Sequence, residues 1–196
     1  TTQEAGQPIE PNTATTPTLY TAAINSMHAE EWKVAMLEEY RSIIRNLTYN
    51  LIKLPARRKV IGTRWMFKLK QLASGAINQF KARWITQGFS QIFRIDFDKT
   101  FSPVMQIKHL HLLITITILL SYKIHQMDVT TAFLNANLTK ENYIHQPEGF
   151  VNPKKLDYVC RLWKSLYGLK QAPLEWNQTL NPYLHTHRFK PTTANP

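Results

Sequence analysis

The 196-residue sequence predicts an α+β fold, and a few features of its patterning carry that prediction. Apolar residues recur at helical spacing from Trp32 to Leu47. They then alternate with cations in two arms around the turn Ala73-Ser74-Gly75-Ala76. Further along, strand-length apolar segments are separated by breaks rich in Pro, Gly and Asn. A hydrophobic content of 43% with 11% aromatics suffices for the core of one domain, or one and a fraction, at this length.

The elements follow in order. Residues 1–25 are rich in Thr, Pro, Ala and Gln, carry only Glu4 and Glu10 as charges, and predict a disordered linker. Trp32, Met36, Tyr40, Ile43, Ile44 and Leu47 then predict an amphipathic helix with Glu30, Glu31, Glu38 and Glu39 on its wet side. Thr48 to Leu54 alternates like a strand and stops at Pro55. Trp65, Phe67 and Leu69 alternate with Arg64, Met66, Lys68 and Lys70, and the return arm runs from Phe80 to Ile85. Period-two geometry puts the aromatics of this hairpin on one face and most of its cations on the other. Asp96 to Val104 reads as a loop. Gln106 to Tyr122 predicts a buried helix, although its Thr/Ile-rich centre also permits a strand. Ile124 to Val129 predicts a strand that delivers Asp128 to its end. Short strands are expected at Tyr143–Gln146 and Val159–Leu162, with a turn at Pro147–Phe150 between them. Trp176, Leu180 and Leu184 predict a last helix that Pro182 bends.

Charge narrows the function. The chain carries 24 Lys+Arg against 13 Asp+Glu, a net +11, which favours a polyanionic partner, nucleic acid or an anionic membrane. Between Tyr40 and Ile95 stand 12 Lys/Arg and no Asp or Glu. Aromatic residues interleave with them, which favours nucleic acid over a merely solvated basic face. The longest apolar run, Leu112 to Leu120, is far short of the ~20 residues of a membrane span. Cys160 is the single cysteine, set in an apolar alternation that predicts a buried small residue. The pairs His109/His111 and His185/His187 lack the Cys or acidic partners of a zinc site and read as surface histidines. The chain does not begin with Met, which suggests a piece of something longer.

Several blocks carry a resemblance. They are Trp32-Lys33-Val34-Ala35-Met36, Ile61 through Lys68, Lys81-Ala82-Arg83, Gln87 through Gln91, and Thr100 through Val104. Gln126-Met127-Asp128-Val129 follows with Ala132 through Asn135, then Gln146-Pro147 with Gly149-Phe150, and last Ser165 through Pro173. In this order and spacing the chain resembles the reverse-transcriptase domain of copia-type LTR retrotransposons from about Trp32 to Phe189. The resemblance implies an RNA-directed DNA polymerase with a right-hand fold: fingers over about 26–104 with the basic hairpin, and part of a palm over about 105–190.

It also implies roles. Asp128 would be the first palm aspartate, binding Mg²⁺ and acting in catalysis, with the Val129 backbone carbonyl as an accessory ligand. A lone Asp after a strand is, by itself, more often a cap or turn residue. Phe133 would lie under the incoming sugar and exclude a 2′-hydroxyl. Tyr167, Gly168, Lys170 and Gln171 would line the nucleotide and template base, and Lys81 and Arg83 would neutralise the triphosphate. The implied partners are an RNA template, a DNA primer, a dNTP and the rest of a Pol polyprotein, with no membrane. The implied location is a cytoplasmic virus-like particle and the nucleus. The family usually has Gly at Arg94, Arg at His111, Gly at Ala136 and Lys at Gln87, and different residues at Leu174, Glu175 and Asn177. No Asp occurs from Gly168 to Pro196, so the paired aspartates of the family's metal site are not in this sequence. The expectation is a fragment of a reverse transcriptase without polymerase activity by itself. The alternatives are a nucleic-acid-binding remnant and a product without function.

Overall fold

The computed structural model describes residues 15–190. Four helices and five strands form it: α1 (Tyr20–Ile24), α2 (Ala29–Arg45), β1 (Tyr49–Lys53), β2 (Thr63–Gln71), β3 (Ile77–Thr86), α3 (Ile107–Leu119), β4 (Asn137–Ile144), β5 (Tyr158–Lys164) and α4 (Ala172–Thr186). Single 3-10 turns lie at Gly88–Ser90 and Ala132–Asn135. This is a mixed α and β domain with antiparallel sheets. One sheet has the order β1-β5-β4, and the other is the two-stranded ribbon β2-β3. The larger sheet thus takes one strand from before residue 104 and two from after it.

The ribbon is built as its alternation predicts. Trp65 stands opposite Trp84, Phe67 opposite Ala82 and Leu69 opposite Phe80. Trp65, Phe67, Ala82 and Trp84 are buried, while Arg64, Met66, Lys68 and Lys70 are exposed. α2 covers this apolar face. Its Trp32 meets Phe67 and Phe80 edge-on, with ring centroids 5.1 and 4.8 Å apart, the geometry that aromatic quadrupoles favour. A single core cluster gathers α2, the ribbon and the larger sheet, and includes Met36, Ile43, Ile144, Cys160, Leu162 and Leu166. The two sheets are stitched at Ile61, whose amide donates to the Tyr143 carbonyl (2.8 Å). Cys160 is fully buried and its thiol is pushed up by burial, as expected of a packing residue.

Several expectations need correction. The predicted linker at 1–25 lies outside the described residues through 14, but Tyr20–Ile24 is helical and Ala23 is fully buried. A polar composition hid Tyr20, Ala23 and Ile24, which pack this turn onto the core. On α2, Glu39 is not on the wet side: it is only 9% exposed, whereas Ile44 faces solvent, as does Leu47 just past the helix end. Trp32, Met36, Glu39 and Ile43 follow the i, i+4, i+7, i+11 spacing of one helical stripe, which the carboxylate shares. Residues 107–119 do form a helix, and the strand alternative fails because Thr115 and Thr117 donate back to the His111 and Leu113 carbonyls (2.9 and 2.7 Å). Yet α3 buries none of its residues. A helix apolar on all sides must be covered on all sides, and the pattern states that need without naming the cover. The expected strand at Ile124–Val129 is absent: these residues are exposed and unpaired. A strand persists through its ladder partners, and among the described residues none is offered to this segment.

Candidate nucleic-acid interface

The ribbon's outer face carries Arg64, Lys68 and Lys70 from β2 and Lys81 and Arg83 from β3. The register puts Lys68 directly opposite Lys81, a like-charge pair that costs stability in an antiparallel ladder. The Lys81 ammonium is held below the usual lysine range, first by desolvation and then by Arg83 and Lys70, against the opposing pull of Glu39 and Asp128. Crowded cations of this kind are relieved by a bound polyanion.

Beside the ribbon lies a cleft of about 260 Å³ between α2 and β3, whose lining includes Glu39, Ser42, Lys81, Arg83, Thr130 and Thr131. Thr131 holds a left-handed backbone (φ 53°), turning the chain from the Asp128 segment into the 3-10 turn that carries Phe133. Glu39 projects into this region with its Oε1 buried and without a hydrogen-bond partner. Burial raises the Glu39 carboxyl above the usual range, opposed by Arg83, the Trp84 amide and Lys81. The sign of its contribution follows. The folded chain binds this proton more readily than the unfolded chain. Glu39 therefore weakens the fold increasingly as pH rises from the ordinary glutamate value through the raised one, and fully above it. Glu39→Gln is expected to melt a few degrees higher than the parent at pH 7. That gap should shrink as the buffer is taken toward pH 4 in paired thermal melts; a lower-melting variant at pH 7 would refute this reading.

The predicted site residues separate into groups. Arg83, Tyr167 and Phe133 meet: the Arg83 guanidinium lies 4.3 Å from the Tyr167 ring centroid, and Phe133 packs edge-on against Tyr167 at 4.8 Å. The Tyr167 carbonyl accepts from the Thr86 amide (2.8 Å) and hydroxyl (3.1 Å), which ties the end of β3 to the turn ahead of α4. Gly168 follows at φ +92°, and a Cβ there would press into the Thr86 backbone. Lys170 is exposed, with its ammonium 4.8 Å from the Phe97 ring centroid. Gln171 lies inside the domain. It is 2% exposed, donates to the Asp96 carbonyl (3.0 Å) and accepts from Gln91 (3.0 Å), so its amide is engaged inside the domain. Asp128 and Val129 lie in the exposed, unpaired segment 122–129. Among the described residues, no group of three His, Cys, Asp or Glu side chains is placed to hold a metal ion.

Sequence reasoning missed Glu39, although its helical stripe was readable. It also gave no role to Gln91, Asp96 or Asn142, buried polar residues whose partners lie 46–80 positions away along the chain. No local pattern announces such partners. Among the described residues, no helix is long and apolar enough to cross a membrane.

Comparison with known proteins adds to this geometry. The family model described as reverse transcriptase (RNA-dependent DNA polymerase) matches residues 46–196. The chain is 40% identical over 168 residues, 85% of its length, to the retrovirus-related Pol polyprotein from transposon RE2 of Arabidopsis thaliana. It is 39% identical over 162 residues to that from transposon TNT 1-94 of Nicotiana tabacum, 83% of this chain. The transposon Ty1-H Gag-Pol polyprotein of Saccharomyces cerevisiae is 33% identical over 132 residues, 65% of this chain and 7% of that protein. The chain spans 12% of the length of each of the two plant relatives. No solved structure matches it.

Proposed function

The chain belongs to the reverse transcriptase family, as part of a reverse-transcriptase domain of the kind found in copia-type Pol polyproteins; from that premise we propose that it is the portion that grips template, primer and nucleotide. The ribbon is the fingers element, and the sheet β1-β5-β4 with the Phe133 turn belongs to the palm. RNA template and DNA primer lie against the cationic face. The phosphates of an incoming nucleotide lie toward Lys81 and Arg83, and Phe133 stands below its sugar. Exposed α3 is the surface on which further palm packs within a Pol polyprotein. The observation that carries this reading is the cross-strand pairing of Lys68 with Lys81 amid three further cations on one face.

Reverse transcriptases in general depend on a divalent metal. Here the residues present do not fit a two-ion site: Asp128 is exposed in an unpaired segment, and among the described residues it belongs to no group of three His, Cys, Asp or Glu side chains placed to hold a metal ion. The chain's own contribution is therefore binding and orientation. Its cations neutralise phosphate charge, and the Arg83–Tyr167–Phe133 cluster offers aromatic surface to a base and a sugar.

The test is equilibrium binding of a fluorescein-labelled RNA–DNA primer–template across a salt series. Log affinity is expected to fall with log salt at a slope of about −3 to −4, corresponding to roughly four phosphate contacts. A flat dependence, or no binding at low salt, would rule the proposal out.

A further inference from the structure

We propose that Gln91 is a positioning residue that presents Lys170 to bound nucleic acid, an inference that rests on the function proposed above. Gln91 follows the Gly88–Ser90 turn and is 5% exposed. Its side-chain amide is fully used. Nε2 donates to Asn142 Oδ1 (2.9 Å) and to Gln171 Oε1 (3.0 Å), and Oε1 accepts the backbone N–H of Lys170 (2.8 Å). Its own carbonyl accepts from Lys170 Nζ at 3.5 Å. One residue thereby holds Lys170 at both its backbone and its charged end.

The junction around Gln91 is closed by Asp96. The Asp96 carbonyl accepts from Asn142 Nδ2 (3.1 Å) and from Gln171 Nε2 (3.0 Å), and its carboxylate accepts from the Ile92 amide (2.8 Å). Phe97, the next residue, sets its ring beneath the Lys170 ammonium. Asn142, Gln171, Asp96 and Gln91 are all buried. A buried amide network of this kind rigidifies what it holds, because opening it strands several polar groups. The chemistry also selects glutamine. The position needs two N–H donors and one acceptor on a neutral group of this length, which neither a carboxylate nor a thioether supplies. A free lysine loses much rotamer freedom when it docks on phosphate; Lys170 has surrendered part of that freedom before the ligand arrives. The sequence pattern gives the turn, but only the fold shows that the anchor of Lys170 lies 79 residues upstream.

The experiment measures primer–template affinity by anisotropy, using the full chain. The variants are Lys170→Ala, Gln91→Met and their combination, with Lys68→Ala placed in the parent and in Gln91→Met. Lys170→Ala is expected to weaken binding about threefold, the scale of one phosphate contact. Gln91→Met should weaken it by a similar factor and the combination no further, while Lys68→Ala costs the same in both backgrounds. Undiminished loss from Lys170→Ala in the Gln91→Met chain overturns the inference. Unchanged binding by Lys170→Ala overturns both the inference and the role given to Lys170; Lys68→Ala still reports on the ribbon and so tells the two failures apart. Should Gln91→Met not fold, amide hydrogen exchange on the parent chain decides. The Lys170 N–H should exchange at least tenfold slower than an open amide, and exchange at the open rate overturns the inference.

Discussion

Gly168→Ala is expected to cost about 3 kcal/mol of stability. The residue holds φ +92°, where an alanine methyl is strained by about 1–2 kcal/mol. Its Cβ would also strike the Thr86 carbonyl, and Gly88 packs against the Gly168 carbonyl from the other side. All of these obstacles are backbone, with no flexible side-chain end to swing away. Relief therefore requires moving the Thr86–Tyr167 pair, at a further cost of about 1–3 kcal/mol. In a chain of this size the sum lowers the melting temperature by roughly 6–12 °C. Gly75→Ala provides the comparison: φ there is +82°, but nothing lies within 4 Å of the added methyl. Its cost should be limited to the strain of about 1 kcal/mol. If both variants melt alike, the close approach of β3 to the 167–168 turn does not matter as described.

Reversing the ribbon's exposed charges should have the largest effect on binding. Arg64→Glu, Lys68→Glu and Lys70→Glu together remove three cations and place three anions on the face assigned to phosphates. These side chains are exposed, so the fold should tolerate the change within about 1 kcal/mol. Removing the Lys68–Lys81 repulsion favours the ribbon slightly. Primer–template affinity at ~100 mM salt should fall at least about a hundredfold, and the salt slope should become shallower by about 3. Reversing an equal number of charges at Lys154, Lys155 and Lys164, outside the ribbon, should leave the slope closer to that of the parent. Equal losses from the two sets would mean that net charge, rather than the ribbon's face, governs binding.

Local periodicity carried much of the fold. The ribbon, its aromatic face and its cationic face were legible because period two is written residue by residue from Arg64 to Ile85. Helix α2 was equally plain in type, but its faces were partly misread: Glu39 is buried, although a carboxylate on an apolar stripe runs against composition, and Ile44 and Leu47, expected on the apolar face, are exposed. Segments whose structure depends on distant partners were less legible. Ile124–Val129 has the composition of a strand and no ladder to join among the described residues, and α3 has the composition of a buried helix and nothing over it. At the site, Arg83, Tyr167 and Phe133 stand in blocks that the sequence singled out one by one, but their meeting is set by the fold. The buried amides of Gln91, Asn142 and Gln171 are held across 51 and 80 residues of chain, and their bonds are set by tertiary packing alone.

Backbone amide hydrogen exchange, measured on the chain with and without a primer–template duplex, tests the central claim most directly. The account predicts slowed exchange on binding along β2 and β3, about the Lys68–Lys81 register, and through the turn from Tyr167 to Gln171, with α3 unchanged. Slowing confined to α3 or to the outer end of α4, with the ribbon unaffected, would contradict it.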